Sequence, residues 1–148
     1  MFGLFKKESD NIQQNSKTVK RWLKEHDRIK KYAILTLEHY NNDDHKAAKK
    51  SLSKLEDAAL EHLMDEDNKI FELLDKAKKS DEDLVEELLV FRSSFRDVKH
   101  ALVHFLITYS HPQKVLDDQF KQQLEGIIQA VVDRIEFEES RLYPLLSH

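Results

Sequence analysis

Residues 51–74 read SLSKLEDAALEHLMDEDNKIFELL, and this stretch decides the architecture. With Ala48 just before them, Leu52, Leu55, Ala59, His62, Glu66 and Leu73 recur at steps of three, four and seven residues. That spacing lays them along one face of an α-helix, the face that turns to a core. Two of its positions are a histidine and a glutamate, four apart and so stacked on adjacent turns. A glutamate is almost never fully buried unless it is paired or bound to something. The stretch therefore predicts a packed helix with ionisable residues on its inward stripe.

The same period continues on both sides. A first helix runs from about Ser16, an N-cap residue, to about Tyr40, with Val19, Trp22, His26, Ile29, Ala33, Thr36 and Tyr40 inward. Asn41-Asn-Asp-Asp44 makes a turn, and the second helix reaches about Lys79. Ser80-Asp-Glu-Asp83 reads as a capping box that opens a third helix to about Tyr109, with Leu84, Leu88, Phe91, Phe95, Val98, Leu102 and Phe105 inward. After the joint Ser110-His-Pro112, a fourth helix runs to Tyr143, where Pro144 ends it. Its stripe is Phe120, Leu124, Ile127, Ile128, Val131, Ile135, Glu138 and Leu142. Short joints between long helices imply antiparallel neighbours. The expected fold is all-α: a four-helix up-and-down antiparallel bundle over residues 16–148, preceded by a flexible N-terminal tail, 1–15.

Composition agrees and narrows function. In 148 residues there are two glycines and two prolines, too few to punctuate many short elements. Net charge is −4 with both signs mixed along the chain, which argues against nucleic-acid binding. The lysines 46, 49, 50 and 54 are answered by Asp43, Asp44, Glu56 and Asp57, as on a solvated helix face. No cysteine is present, so disulfides, thiolate ligands and cysteine nucleophiles are excluded. No apolar run approaches the ~18 residues of a membrane span, and no secretory signal opens the chain. The cytoplasm is the expected location. Two glycines cannot build a P-loop or dinucleotide fingerprint, and neither His-Glu-x-x-His, Gly-x-Ser-x-Gly nor Glu-x-x-His occurs. An enzyme of those classes is not expected.

Counting through the turn at 41–44 puts His26 within one helical turn of His62. Glu138 lies near the centre of the fourth stripe and Arg134 on its flank. Two histidines and two glutamates from three helices thus converge in one layer of the bundle. Imidazole and carboxylate donors without thiolate suit iron, manganese or zinc. The same residues also make sense as a metal-free polar network, with His26, His62 and Arg134 pairing Glu66 and Glu138.

The order Glu25-His26-Asp27, then His62-Leu-Met-Asp-Glu66-Asp67, then Arg134-Ile-Glu-Phe-Glu-Glu-Ser-Arg-Leu-Tyr-Pro144 resembles hemerythrin-like (HHE cation-binding) domains over roughly residues 18–146. The resemblance implies a four-helix bundle holding two irons with histidines and bridging carboxylates, and a role in binding or sensing oxygen or nitric oxide. By position it implies metal ligation by His26, His62, Glu66 and Glu138. Two departures stand out. The family's third helix usually supplies His-x-x-x-His, yet His100 and His104 lie roughly 170° and 150° from the mean of the apolar face and are expected on the surface. Ser94 is left as the main polar residue near that helix's inner face. Arg134 stands where the family often has a histidine, and arginine cannot ligate iron. The expected cofactor is therefore iron, as one or two ions, with oxygen or nitric oxide as ligand. The alternative is a metal-free bundle acting as a regulatory or protein-interaction module, its protein partner not identified by the sequence.

Overall fold

The apolar periodicity resolves into four long helices. In the computed structural model the described residues are 2–77 and 82–146, with side chains for 16–76 and 82–146. Helix α1 spans Phe2–Asn41, α2 His45–Ala77, α3 Glu82–Ser110 and α4 Asp118–Phe137. A π-helical turn, Glu138–Leu142, and a last short helix, α5 (Tyr143–Leu146), continue α4. Each of α1 to α4 packs on two others, α1 on α2 and α4, α3 on α2 and α4, which closes the ring of an up-and-down bundle. No strand occurs among the described residues, and no helix is long and apolar enough to cross a membrane. The tail expected over 1–15, the capping box opened by Ser80 and the terminal His148 involve residues outside those whose side chains are described.

The joints follow local chemistry. Asp43 adopts φ 59, a left-handed conformation that aspartate tolerates better than most residues, and Asp44 Oδ1 accepts from Ala47 N at 3.1 Å to start α2. The joint before α4 is longer than the sequence suggests. Helix α3 ends at Ser110, where Lys49 Nζ donates to the carbonyls of Tyr109 and His111 at 2.7 and 2.6 Å. The chain resumes helix only after Asp117, whose extended backbone and side chain accepting from Phe120 N at 2.9 Å form the N-cap. Buried Leu116 pins the intervening loop.

The expected stripes face inward with two corrections. Leu74, not Leu73, is the buried residue at the end of α2, and Ser94 is exposed. The phase argument for α3 holds: His100 and His104 are exposed while Phe91, Leu102 and Phe105 are buried. Two apolar clusters result. One gathers Ile29, Leu52, Leu55, Leu106, Phe120 and Leu124; the other gathers Trp22, Ile70, Leu88, Phe91, Leu142 and Tyr143. The layer between them is ionic.

Pro144 does not end the helical path. It lies within α5, past a π-helical turn in which Tyr143 N–H reaches back to Glu138 O. Proline lacks an N–H to continue the α ladder, and the wider ring lets the backbone pass that gap. The register shift matters for the site. In an α-helix a residue five positions on stands about 140° away, whereas the i→i+5 ring brings Tyr143 back over Glu138.

Candidate metal centre

Three elements build the ionic layer. Helix α1 contributes Trp22, Glu25 and His26; α2 contributes His62, Asp65 and Glu66; the continuous stretch from the end of α4 through the π turn to the start of α5 contributes Arg134, Glu138, Glu139 and Tyr143. Of these, His26, His62, Glu66, Glu138, Arg134 and Tyr143 are all buried. His26 Nε2 and His62 Nε2 lie 3.1 Å apart. Glu66 Oε2 is 3.1 Å from His62 Nε2, and Glu138 Oε2 is 3.5 Å from His26 Nε2 and 3.8 Å from His62 Nε2. The Tyr143 hydroxyl sits 2.8 Å from both of those carboxylate oxygens and 3.0 Å from His26 Nε2.

The outer edges fix the tautomers. His62 Nδ1 is 2.8 Å from Glu25 Oε1, and His26 Nδ1 is 2.9 Å from Glu139 Oε2. Ionised carboxylates only accept, so each Nδ1–H donates outward and each Nε2 lone pair points into the cage. Trp22 Nε1 donates to Asp65 Oδ2 at 2.8 Å and closes the end of the layer. Arg134 takes the other carboxylate oxygens: its Nε donates to Glu138 Oε1 at 3.1 Å and its Nη2 to Glu66 Oε1 at 3.0 Å. Its guanidinium lies 5.1 Å over the Phe91 ring.

Counting protons shows what the cage lacks. Four inward-facing acceptor atoms share one proton of their own, that of the Tyr143 hydroxyl. Two carboxylates and one guanidinium leave one negative charge over. The titration behaviour reflects this deficit. Burial works against charging His62, but hydrogen bonds to Glu138 and Glu66, and their charges, override it and push its pKa up to about 10. Burial and then the charge of Glu138 push Glu66 up to about 7. Burial works to raise Glu138 too, yet hydrogen bonds from Glu66, His26 and His62 and the charge of Arg134 hold it well below the usual carboxylate range. Burial, followed by the charges of Glu66 and Glu138, raises the Tyr143 phenol far above its ordinary value, so it keeps its proton. The same deficit of positive charge is what a metal cation would answer.

The donor set fits one ion. Two atoms each about 2.1 Å from a shared metal lie no more than about 4.2 Å apart. Four of the six donor pairs, at 3.1, 3.1, 3.5 and 3.8 Å, meet that condition. One donor atom from each of His26, His62, Glu66 and Glu138 lies within 4.8 Å of the others, so the four could hold a metal ion. Among the described residues no second group of donors adjoins it. Arg134 already occupies Glu66 Oε1 and Glu138 Oε1, and at this level α3 presents Val98 and Leu102. Beside the cage lies a cavity of about 20 Å³, lined by Ile29, Leu63, Leu102, Val131 and Ile135 together with His26 and His62.

All four residues expected from the sequence come together, and four others belong with them. Glu25 and Glu139 orient the histidines, Asp65 anchors Trp22, and Tyr143 enters the cage. The signals were present: Glu25 adjoins His26, Glu139 adjoins Glu138, and Tyr143 lies in the closing motif. None falls on a stripe of period 3.6.

Comparison with curated proteins and with solved structures gives no match. The model of the hemerythrin HHE cation binding domain matches residues 17–146, nearly the whole chain and every residue of the ionic layer. The chain belongs to the hemerythrin HHE cation-binding domain family.

Proposed function

We propose that this protein holds a single iron ion between His26, His62, Glu66 and Glu138 and binds or senses a small diatomic gas, oxygen or nitric oxide, beside it. The observation that carries the reading is the paired orientation of the histidines: each turns Nδ1 to an outer carboxylate, leaving the two Nε2 atoms 3.1 Å apart and facing two carboxylate oxygens. Iron, when bound, would supply the electron-rich centre such a gas requires.

The rest is done by the chain's own groups. Glu25 and Glu139 orient the imidazoles so that each Nε2 faces the cage. Arg134 supplies the charge that a second metal would bring, and holds Glu66 and Glu138 in register. The cavity of about 20 Å³ has room for one small molecule, and its aliphatic walls keep bulk water from the cage. Tyr143 keeps a hydroxyl proton at the edge of the cage. Nothing in this arrangement positions a larger substrate, so the function is binding and not turnover.

Anaerobic loading with Fe(II), desalting and metal analysis test the reading. About one iron per chain, with an optical change when air or nitric oxide is admitted, is the expected result. Two irons per chain would overturn the single-ion site. Retention of no iron, zinc or manganese would favour the second reading, a metal-free module working through its surface. That reading has its own support: among the described residues no buried side-chain polar atom lacks a partner, so a proton taken up by the cage can satisfy the network without a metal.

A further inference from the structure

A cleft of about 550 Å³ opens between α2 and α3, with Arg134 contributing to its wall. Its apolar side is formed by Ile70, Phe71, Phe91 and Phe95, and Phe71 is 68% exposed although it is a large apolar residue. Leu89, also lining the cleft, is 50% exposed. Exposed apolar surface gathered in a concavity marks a binding site more often than scattered surface residues do.

The opposite feature is cationic. Arg92 and Arg96 line the cleft one helical turn apart on α3, and both are exposed. Like charges at that spacing repel, and neither arginine has an ion pair or hydrogen bond among the described residues. The cleft's only carboxylate, Asp67, is engaged by Lys99. Two unanswered guanidinium groups stand together in a chain whose net charge is −4. A planar guanidinium matches the oxygens of a carboxylate or phosphate. The volume falls in the small-ligand range of about 300–1,000 Å³.

We propose that this cleft binds an amphipathic oxyanion, a carboxylate or phosphate head held by Arg92 and Arg96 with an apolar tail laid against Phe71 and Phe95. The site shares the Arg134 side chain with the ionic layer but none of the four candidate metal ligands, and the proposal does not rest on a metal being bound there.

Titration calorimetry on the chelator-treated chain tests it, with decanoate, decyl phosphate and decanol as probes below their micellar or solubility limits. Saturable single-site binding of decanoate, decyl phosphate or both is expected, the stronger of the two identifying the head group. Decanol should bind at least about tenfold more weakly, as should either anion to the R92E/R96E double variant at an unchanged thermal midpoint. Phe71→Ser should weaken the same binding, again without unfolding the chain. Absence of saturable binding by both anions, equal binding of decanol, or indifference to R92E/R96E would each overturn the proposal. So would self-association in sedimentation velocity that R92E/R96E abolishes, since a second copy would then cover the cleft. Because iron is absent throughout, failure here leaves the iron site untouched, and failure of iron loading leaves this result standing.

Discussion

Arg134→Met removes the one guanidinium that faces Glu66 and Glu138, carboxylates that are 0% and 1% exposed, while keeping an unbranched side chain against Phe91. Two hydrogen bonds to charged groups are lost, at 3.0 and 3.1 Å. Removing one partner of a buried ion pair costs about 3–5 kcal/mol, because the remaining charge is left without compensation. Part of that loss is avoidable where a carboxylate can take up a proton, and Glu66 already stands at about 7. The measurement therefore belongs at about pH 8, above that value. Urea unfolding followed by circular dichroism, in the presence of chelator, should show the variant less stable than the parent by up to ~3–5 kcal/mol, less what proton uptake by Glu66 recovers. With excess zinc in place of chelator the difference should shrink, because the ion supplies the missing charge. Linkage sets the scale: metal at one hundred times its dissociation constant stabilises by about 2.7 kcal/mol, and tighter binding by the more negative variant adds to that. A loss below about 1 kcal/mol in chelator would refute the idea that Arg134 balances these carboxylates. A loss that zinc leaves unchanged would refute the idea that metal and arginine answer the same charge.

Other outcomes follow from the same geometry. His62→Ala should abolish metal retention, measured after desalting, and should destabilise the chelated chain by about 1–3 kcal/mol because Glu66 and Glu25 each lose a partner. His100→Ala with His104→Ala should leave metal content unchanged and stability within about 0.5 kcal/mol, since both histidines are exposed; loss of metal would place a ligand on α3 after all. The chelated chain should lose stability as pH rises. His62 binds its proton more tightly folded, with a pKa of about 10, than unfolded, so its contribution is complete below about 6.5 and gone above 10. The raised Glu66 acts with the same sign, and the difference in urea midpoint between the parent and His62→Gln across pH 6–10 isolates the histidine. Metal affinity should move the other way, strengthening with pH as that proton is displaced.

The fold and most of the cage were legible because both obey one period. Leu55, Ala59, His62 and Glu66 recur at steps of three and four, and such spacing reports which face is buried without reference to any neighbour. The same rule correctly turned His100 and His104 outward against the pull of a familiar motif, since turning them in would have exposed Phe91 and Leu102. What it could not show were contacts depending on a helix's partner. Glu25 lies off the inward stripe of α1, yet it reaches His62 because α2 passes on that side. The start of α4 was misplaced for a similar reason: Lys49, from another helix, holds the carbonyls at the end of α3, and Leu116 is buried by the fold as a whole.

Tyr143 was hidden differently, and its placement joins sequence to site. By α-helical phase it stands about 140° from Glu138, which would put the two on different faces. Pro144 removes an N–H just where the ladder would continue, and the turn from Glu138 to Leu142 takes the wider π ring. That one change of register brings the Tyr143 hydroxyl to 2.8 Å from Glu138 and leaves Glu139 within 2.9 Å of His26. Adjacent residues Glu138 and Glu139 thus reach opposite edges of the His26 imidazole, one from inside the cage and one from outside. The residue that seemed to end the helix is therefore linked to the register shift that completes the cage.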